Sequence, residues 1–113
     1  MPEWLKDRME GRTRWLVPEV STLGRDEGEA LAAALAPDAT SDVVLDLSSV
    51  DLMTSPAIGA VIVMHKRLSV QGGRLVLTNL SPMLRETLSF LKLDHVLTLC
   101  TSAEELKRAL RPH

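Results

Sequence analysis

Asp46-Leu47-Ser48-Ser49-Val50-Asp51-Leu52-Met53-Thr54-Ser55-Pro56-Ala57-Ile58-Gly59 is the stretch from which the rest of the chain is read. The apolar run Val43-Val44-Leu45 leads into it with turn formers on both sides, which predicts a buried strand. A polar loop follows, and Ser55-Pro56 opens a new periodic segment. Serine suits an N-cap because its oxygen accepts from an otherwise unpaired backbone N–H. Proline suits the first helical position because the N–H it lacks has no partner there. Strand, loop and helix start therefore place two hydroxyls, Thr54 and Ser55, at the positive end of a helix. A phosphate or an approaching acidic group is favoured at such an end.

Outward from that centre the pattern alternates. Arg12 to Val17 predicts a strand with Trp15 and Val17 on one face, and Pro18 ends it or marks an edge. Asp26 to Ala36 predicts a helix, with Asp26, Glu27 and Glu29 near its start and Leu31 and Leu35 four apart. The helix from Pro56 to about Val70 places Ile58, Val61, Ile62, His65 and Leu68 on one stripe, and Gly72-Gly73 stop it. Arg74 to Leu80 is a strand. Ser81-Pro82 repeats the cap and opens a helix carrying Leu84, Leu88 and Leu91. His95 to Cys100 is a last strand, and Thr101-Ser102-Ala103-Glu104 reads as a capping box before a terminal helix with Leu106 and Leu110. Residues 1–11 read as an N-terminal tail or a short amphipathic helix, with Leu5 and Met9 one helical turn apart. From Arg12 onward the order is β-α-β-α-β-α-β-α, which implies an α/β domain over residues 12–113 with a mostly parallel sheet and helices packed on it.

Composition bounds the function. A chain of 113 residues with 45% hydrophobic and 25% charged side chains is one ordinary globular domain. A net charge of −2 and 3% aromatic content argue against nucleic-acid binding. The single cysteine, Cys100, fits a reducing compartment. The N-terminal residues do not read as a signal peptide and no apolar run is long enough to span a membrane, so the expected location is cytoplasmic. Few apolar residues are left for the surface, so a monomer or weak homodimer is expected, with Trp4 as the argument for the dimer.

Enzyme chemistry finds no foothold. There is no glycine-rich phosphate loop, and His65, His95 and His113 have no zinc-site spacing with Cys100. His65 reads as a boundary residue making one hydrogen bond, and Cys100 as a buried, inert thiol. Asp46 and Asp51 stand on strand and loop without a base or metal partner. No cofactor, metal or catalytic residue is expected, and what remains is the hydroxyl pair at 54 and 55.

The same stretch resembles the STAS domain, the anti-sigma factor antagonist family, whose signature runs roughly Asp-Leu-Ser-x-Val-x-x-Met-Asp-Ser-Ser-Gly-Leu-Gly. The resemblance extends from about Arg12 to Leu110, through the Gly-Gly-Arg-Leu-Val-Leu stretch at 72–77, Leu-Ser-Pro at 80–82 and the Ser-Ala-Glu-Glu tail. It implies a non-enzymatic protein-binding switch that captures an anti-sigma factor with a serine-kinase-like fold and so releases a sigma factor. The implied contact residues are Ser48, Ser49, Asp51, Met53, Thr54, Ser55 and Pro56. In the family a serine at the start of the central helix takes the phosphate that breaks binding. That position is Pro56 here, and the family's aspartate falls on Thr54. The phosphoacceptor is then displaced to Ser55 or Thr54, or the switch is lost. An alternative within the same resemblance is a STAS scaffold or adaptor subunit of a stressosome-like or lipid-transport complex.

Overall fold

The computed structural model describes residues 2–35 and 42–110. Strand β1 (Leu5–Glu10) pairs antiparallel with β2 (Thr13–Pro18), and a small strand β3 (Thr22–Leu23) precedes helix α1 (Arg25–Leu35). Then come β4 (Asp42–Asp46), β5 (Leu52–Met53), helix α2 (Ser55–Val70) and β6 (Leu75–Thr78). Helix α3 (Pro82–Phe90), a 3₁₀ turn at Leu93–His95, β7 (Thr98–Cys100) and α4 (Ala103–Leu110) complete it. The main sheet has the order β1-β2-β4-β6-β7, parallel except for the first pair, while β3 and β5 form a separate parallel pair. The expected alternation and mostly parallel sheet are present.

The sheet is buried from both sides at its centre. Val43, Val44 and Leu45 of β4 are each no more than 1% exposed, so the strand has no face for water. Val43 and Leu45 join Leu75 and Leu77 of β6 in the core cluster, with Leu31 of α1, Val61 and Met64 of α2, and Leu84 and Leu88 of α3. Val44 and Val76 alternate to the reverse side, in register with each other and with Trp15. Helix α4 runs along β6 and β7, and the Arg74 guanidinium donates to the carbonyl of Ala109.

Several sequence expectations need correction. Residues 5–10 form neither tail nor helix but edge strand β1. Only Leu5 is buried there, and Gly11, at φ 60, supplies the positive φ that a two-residue hairpin loop requires. Trp4 packs against the core cluster, so it is not a free surface anchor for a dimer. Pro18 ends β2 but does not mark an edge, because β2 pairs on both sides. Its ladder with β4 stops at Leu16, so the missing N–H is not called on there. On α2 the buried stripe is Ala57, Ile58, Val61, Met64 and Leu68, with Ile62 and His65 at its half-buried margin. The His65 Nδ1 atom has no hydrogen-bond partner among the described residues. Leu91 is 48% exposed because α3 stops at Phe90 and the chain turns away at Lys92 with φ 61. The cap of α4 is shifted by one residue: Ser102 Oγ accepts from Glu105 N, and Thr101 N donates to Glu105 Oε2. That second bond holds the Glu105 carboxyl below its ordinary range.

Two contacts tie the elements together and are testable. Helices α1 and α2 touch at Gly28, where an added Cβ would lie 3.1 Å from both Ala57 Cα and Ala60 Cβ. Backbone cannot yield there, so Gly28→Leu is expected to lower stability by about 1–3 kcal/mol, read as a drop in Tm. The second contact is the clasp of β1 to β2 and α1. Arg14 Nε donates to Asp7 Oδ1 at 2.9 Å, and Arg14 Nη1 donates to the Ala34 carbonyl at 2.5 Å. The hydrogen bond from Arg14 holds the Asp7 carboxyl below its usual value, against an opposing effect of burial, and Arg14 is correspondingly raised. A depressed carboxyl stabilises the fold above the unfolded value near ~4 and loses that contribution as pH falls through the folded value. Asp7→Asn is therefore expected to cost about 1 kcal/mol at pH 7. In denaturant titrations across pH the gap to the parent protein should close below about pH 4.

Candidate functional site

The loop between β4 and α2 leaves the carboxyl end of the sheet, and three sets of bonds fix it. At its start the Asp46 carboxylate accepts from Ser48 N at 3.0 Å and from Asn79 Nδ2 at 3.1 Å. Asn79 itself holds φ 57 in the turn after β6, a conformation that asparagine tolerates better than most residues. Next, Val50 N donates to the Leu47 carbonyl at 3.0 Å, and both side chains are buried. Finally, β5 lies along β3: Asp51 N and Leu52 N donate to Ser21 O, and Thr54 N donates to Leu23 O at 2.9 Å. Ser48, Ser49, Asp51 and Leu52 are left exposed on a braced backbone.

The two hydroxyls play different parts. The cap of α2 is Thr54, not Ser55: its Oγ1 accepts from Ala57 N at 3.4 Å, and its backbone is extended at φ −76, ψ 164. Its carbonyl accepts the first helical bond, from Ile58 N at 2.9 Å. Ser55 is the first helical residue, and both it and Pro56 are exposed. The first turn of α2 contains no acidic residue, so the positive end of this helix is not neutralised by its own side chains.

Of the residues singled out in the sequence, Ser48, Ser49, Asp51, Ser55 and Pro56 share this exposed rim, and Thr54 is half-buried beneath it. Met53 is the exception. It is 4% exposed and belongs to the core cluster, because β5 alternates and turns Met53 inward. The neighbour that alternation turns outward, Leu52, is 49% exposed and belongs to the surface instead. A two-residue strand has no period to count, so nothing in the sequence marked Leu52 for the surface. Asp46 also gains a role, as the acceptor that joins the loop to Asn79.

Other reactive groups lie elsewhere. Cys100 is buried at the end of β7, and burial pushes its thiol above the ordinary value. Among the described residues no group of three or more His, Cys, Asp or Glu side chains is placed to hold a metal ion. No described helix is long and apolar enough to cross a membrane.

The family model for the STAS domain matches residues 13–106. No curated protein matches the sequence. Solved structures do. A protein of Thermotoga maritima proposed to be an anti-sigma factor antagonist superposes with a TM-score of 0.84 at 17% identity, over 97% of each chain. An anti-sigma-factor antagonist (STAS) domain protein of Planctomyces limnophilus gives 0.79 at 21% identity, over 94% of this chain and 97% of that one. The phosphorylated form of the Bacillus cell fate determinant SpoIIAA gives 0.69 at 22% identity, over 93% and 98%. At these identities the structures speak for the fold, while the family model covers most of the sequence. With a sheet of the order β1-β2-β4-β6-β7 and a braced loop opening onto α2, the chain belongs to the STAS domain family.

Proposed function

We propose that this protein is an anti-sigma factor antagonist: a non-enzymatic, cytoplasmic binding domain that captures an anti-sigma factor with a serine-kinase-like fold and thereby releases a sigma factor. The observation that carries this reading is the exposed rim of Ser48, Ser49, Asp51, Leu52, Ser55 and Pro56 at the positive end of α2. Its backbone is held by the β3–β5 pair and the Asp46 bonds, so little ordering remains to be lost on binding. Leu52 adds an apolar contact to an otherwise polar surface.

The reading includes an altered switch. A phosphate adds about −1.5 to −2 charge at neutral pH, enough to break a packed interface by repulsion and desolvation. One neighbour, SpoIIAA, has been solved in both unphosphorylated and phosphorylated forms. In this chain Pro56 has no hydroxyl to accept phosphate. Thr54 Oγ1 is engaged as the cap of α2, whereas Ser55 is exposed beside it. If a phosphoacceptor persists it is Ser55, and otherwise capture is constitutive.

Intact-mass and peptide mapping after co-expression with a kinase-like anti-sigma factor tests this reading. A phosphate on Ser55 would establish the displaced switch, and Ser55→Asp should then weaken partner binding by about tenfold or more. An unmodified chain that co-purifies with the anti-sigma factor would establish a constitutive antagonist. Neither phosphate nor partner would overturn the reading in favour of a scaffold subunit. The two hydroxyls should also separate in thermal or chemical unfolding. Thr54→Ala should cost about 0.5–1 kcal/mol through loss of the cap, while Ser55→Ala should stay within about 0.5 kcal/mol.

A further inference from the structure

Alone among the four described α-helices, α4 has no fully buried residue. Leu106, Ala109 and Leu110 form a half-buried strip at helical spacing, and Lys107 and Arg108 are exposed. Three polar contacts add to that strip. The Arg74 guanidinium donates to the Ala109 carbonyl, Ser102 Oγ accepts from Glu105 N, and Glu105 Oε2 accepts from Thr101 N. The last two fix the first turn of α4, and the first reaches back to the start of β6. A helix of eight residues does not hold its shape alone in water, so α4 is helical because it is docked. What lies beneath it is better covered than α4 itself. Val76, Thr78 and Cys100 are 0%, 5% and 3% exposed, and none belongs to the core cluster on the other side of the sheet. Helix α4 packs along their strands, β6 and β7. Burial raises the Cys100 thiol above its ordinary value, and the charge of Glu105 raises it further, which sets the start of α4 close to this thiol.

We propose that α4 is a detachable strap: it lifts and melts as one unit while the sheet and α1–α3 stay folded, and lifting bares Cys100 and the reverse face of β6 and β7. The two sides of the sheet are fastened unequally. Helices α1, α2 and α3 each contribute fully buried leucines, Leu31, Leu68, Leu84 and Leu88, whereas those of α4 are half-buried. Local opening follows buried contact, so the segment with the least opens first. Its departure breaks no strand pairing, because the sheet order β1-β2-β4-β6-β7 is complete without it. The open state is therefore a folded domain with one uncovered apolar face and an accessible thiol.

Reaction of the folded full chain with the aromatic disulfide dithiobis(nitrobenzoate) reads the opening. The Cys100 thiolate attacks one sulfur of the reagent, a mixed disulfide forms, and the other half leaves as a coloured thiolate. The chain has one cysteine, so the signal has a single source. Labelling should be slower than in the urea-unfolded chain yet nearly flat across low urea, since lifting α4 exposes little surface. Arg74→Met and Leu110→Ala should each speed it about fivefold or more. Gly28→Leu, which weakens the α1–α2 contact and leaves the strap alone, should not change it. Hydrogen exchange of the parent chain gives a reading without variants: amides of residues 107–110 should exchange as a group ahead of those in α1–α3. Labelling that steepens with urea from the start would overturn the proposal, as would a Gly28→Leu effect equal to that of Arg74→Met. So would labelling as fast as in the unfolded chain, or exchange of α4 in step with α1.

Discussion

A parallel strand with no face for water is the constraint from which this architecture follows. Val43, Val44 and Leu45 are buried on both sides, and each side needs its own cover. Helices α1, α2 and α3 supply it on the side of Val43 and Leu45, and the close approach at Gly28 brings the first two together. On the reverse side α4 lies along β6 and β7. Toward the other edge Arg8 stacks its guanidinium over Trp15, 4.8 Å from the ring centroid. Because β4 and β6 run parallel, the chain segments leaving them emerge at the same end of the sheet. The loops after Asp46 and Thr78 are neighbours for that reason, and the Asp46–Asn79 hydrogen bond records it.

That neighbourhood gives the exposed rim its stiffness. An eight-residue connection would ordinarily be loose, but three of its four apolar members, Leu47, Val50 and Met53, are sunk into the core. The backbone N–H groups of Asp51, Leu52 and Thr54 are taken up by the Ser21 and Leu23 carbonyls. The polar members are therefore displayed without being needed for folding. Replacing Ser48, Ser49 or Ser55 would therefore change this surface while leaving the core as it is.

Much of this was legible in the sequence because apolar periodicity is strong where burial is complete. Val43-Val44-Leu45, the Leu31/Leu35 pair and the Ser81-Pro82 cap each point to one structure, and that structure is found. The first strand was not legible. Leu5–Glu10 is charged at four of six positions, and its one buried side chain gives no period to count. Leu5 and Met9 mimicked a helical turn, and the signal that mattered was the Gly11-Arg12 hairpin loop. Strands β3 and β5, two residues each, exist only because the folded chain brings them together. The cap of α2 slipped by one because Thr54 and Ser55 are both good cappers, and only the geometry of the incoming strand β5 decides between them.

The charges that hid β1 also explain why the sheet ends there. Lys6, Asp7, Arg8 and Glu10 line an edge strand, and such charges discourage a further strand from adding to it. The clasp from Asp7 through Arg14 to the Ala34 carbonyl turns part of that charge inward to secure the strand. The opposite edge is guarded differently, by the brevity of β7, whose three residues carry no charge. Beside that edge stands α3, with Phe90 exposed. A fold that spends charge to close one side of its sheet and leaves an aromatic ridge beside the other is asymmetric in its tolerance of neighbours.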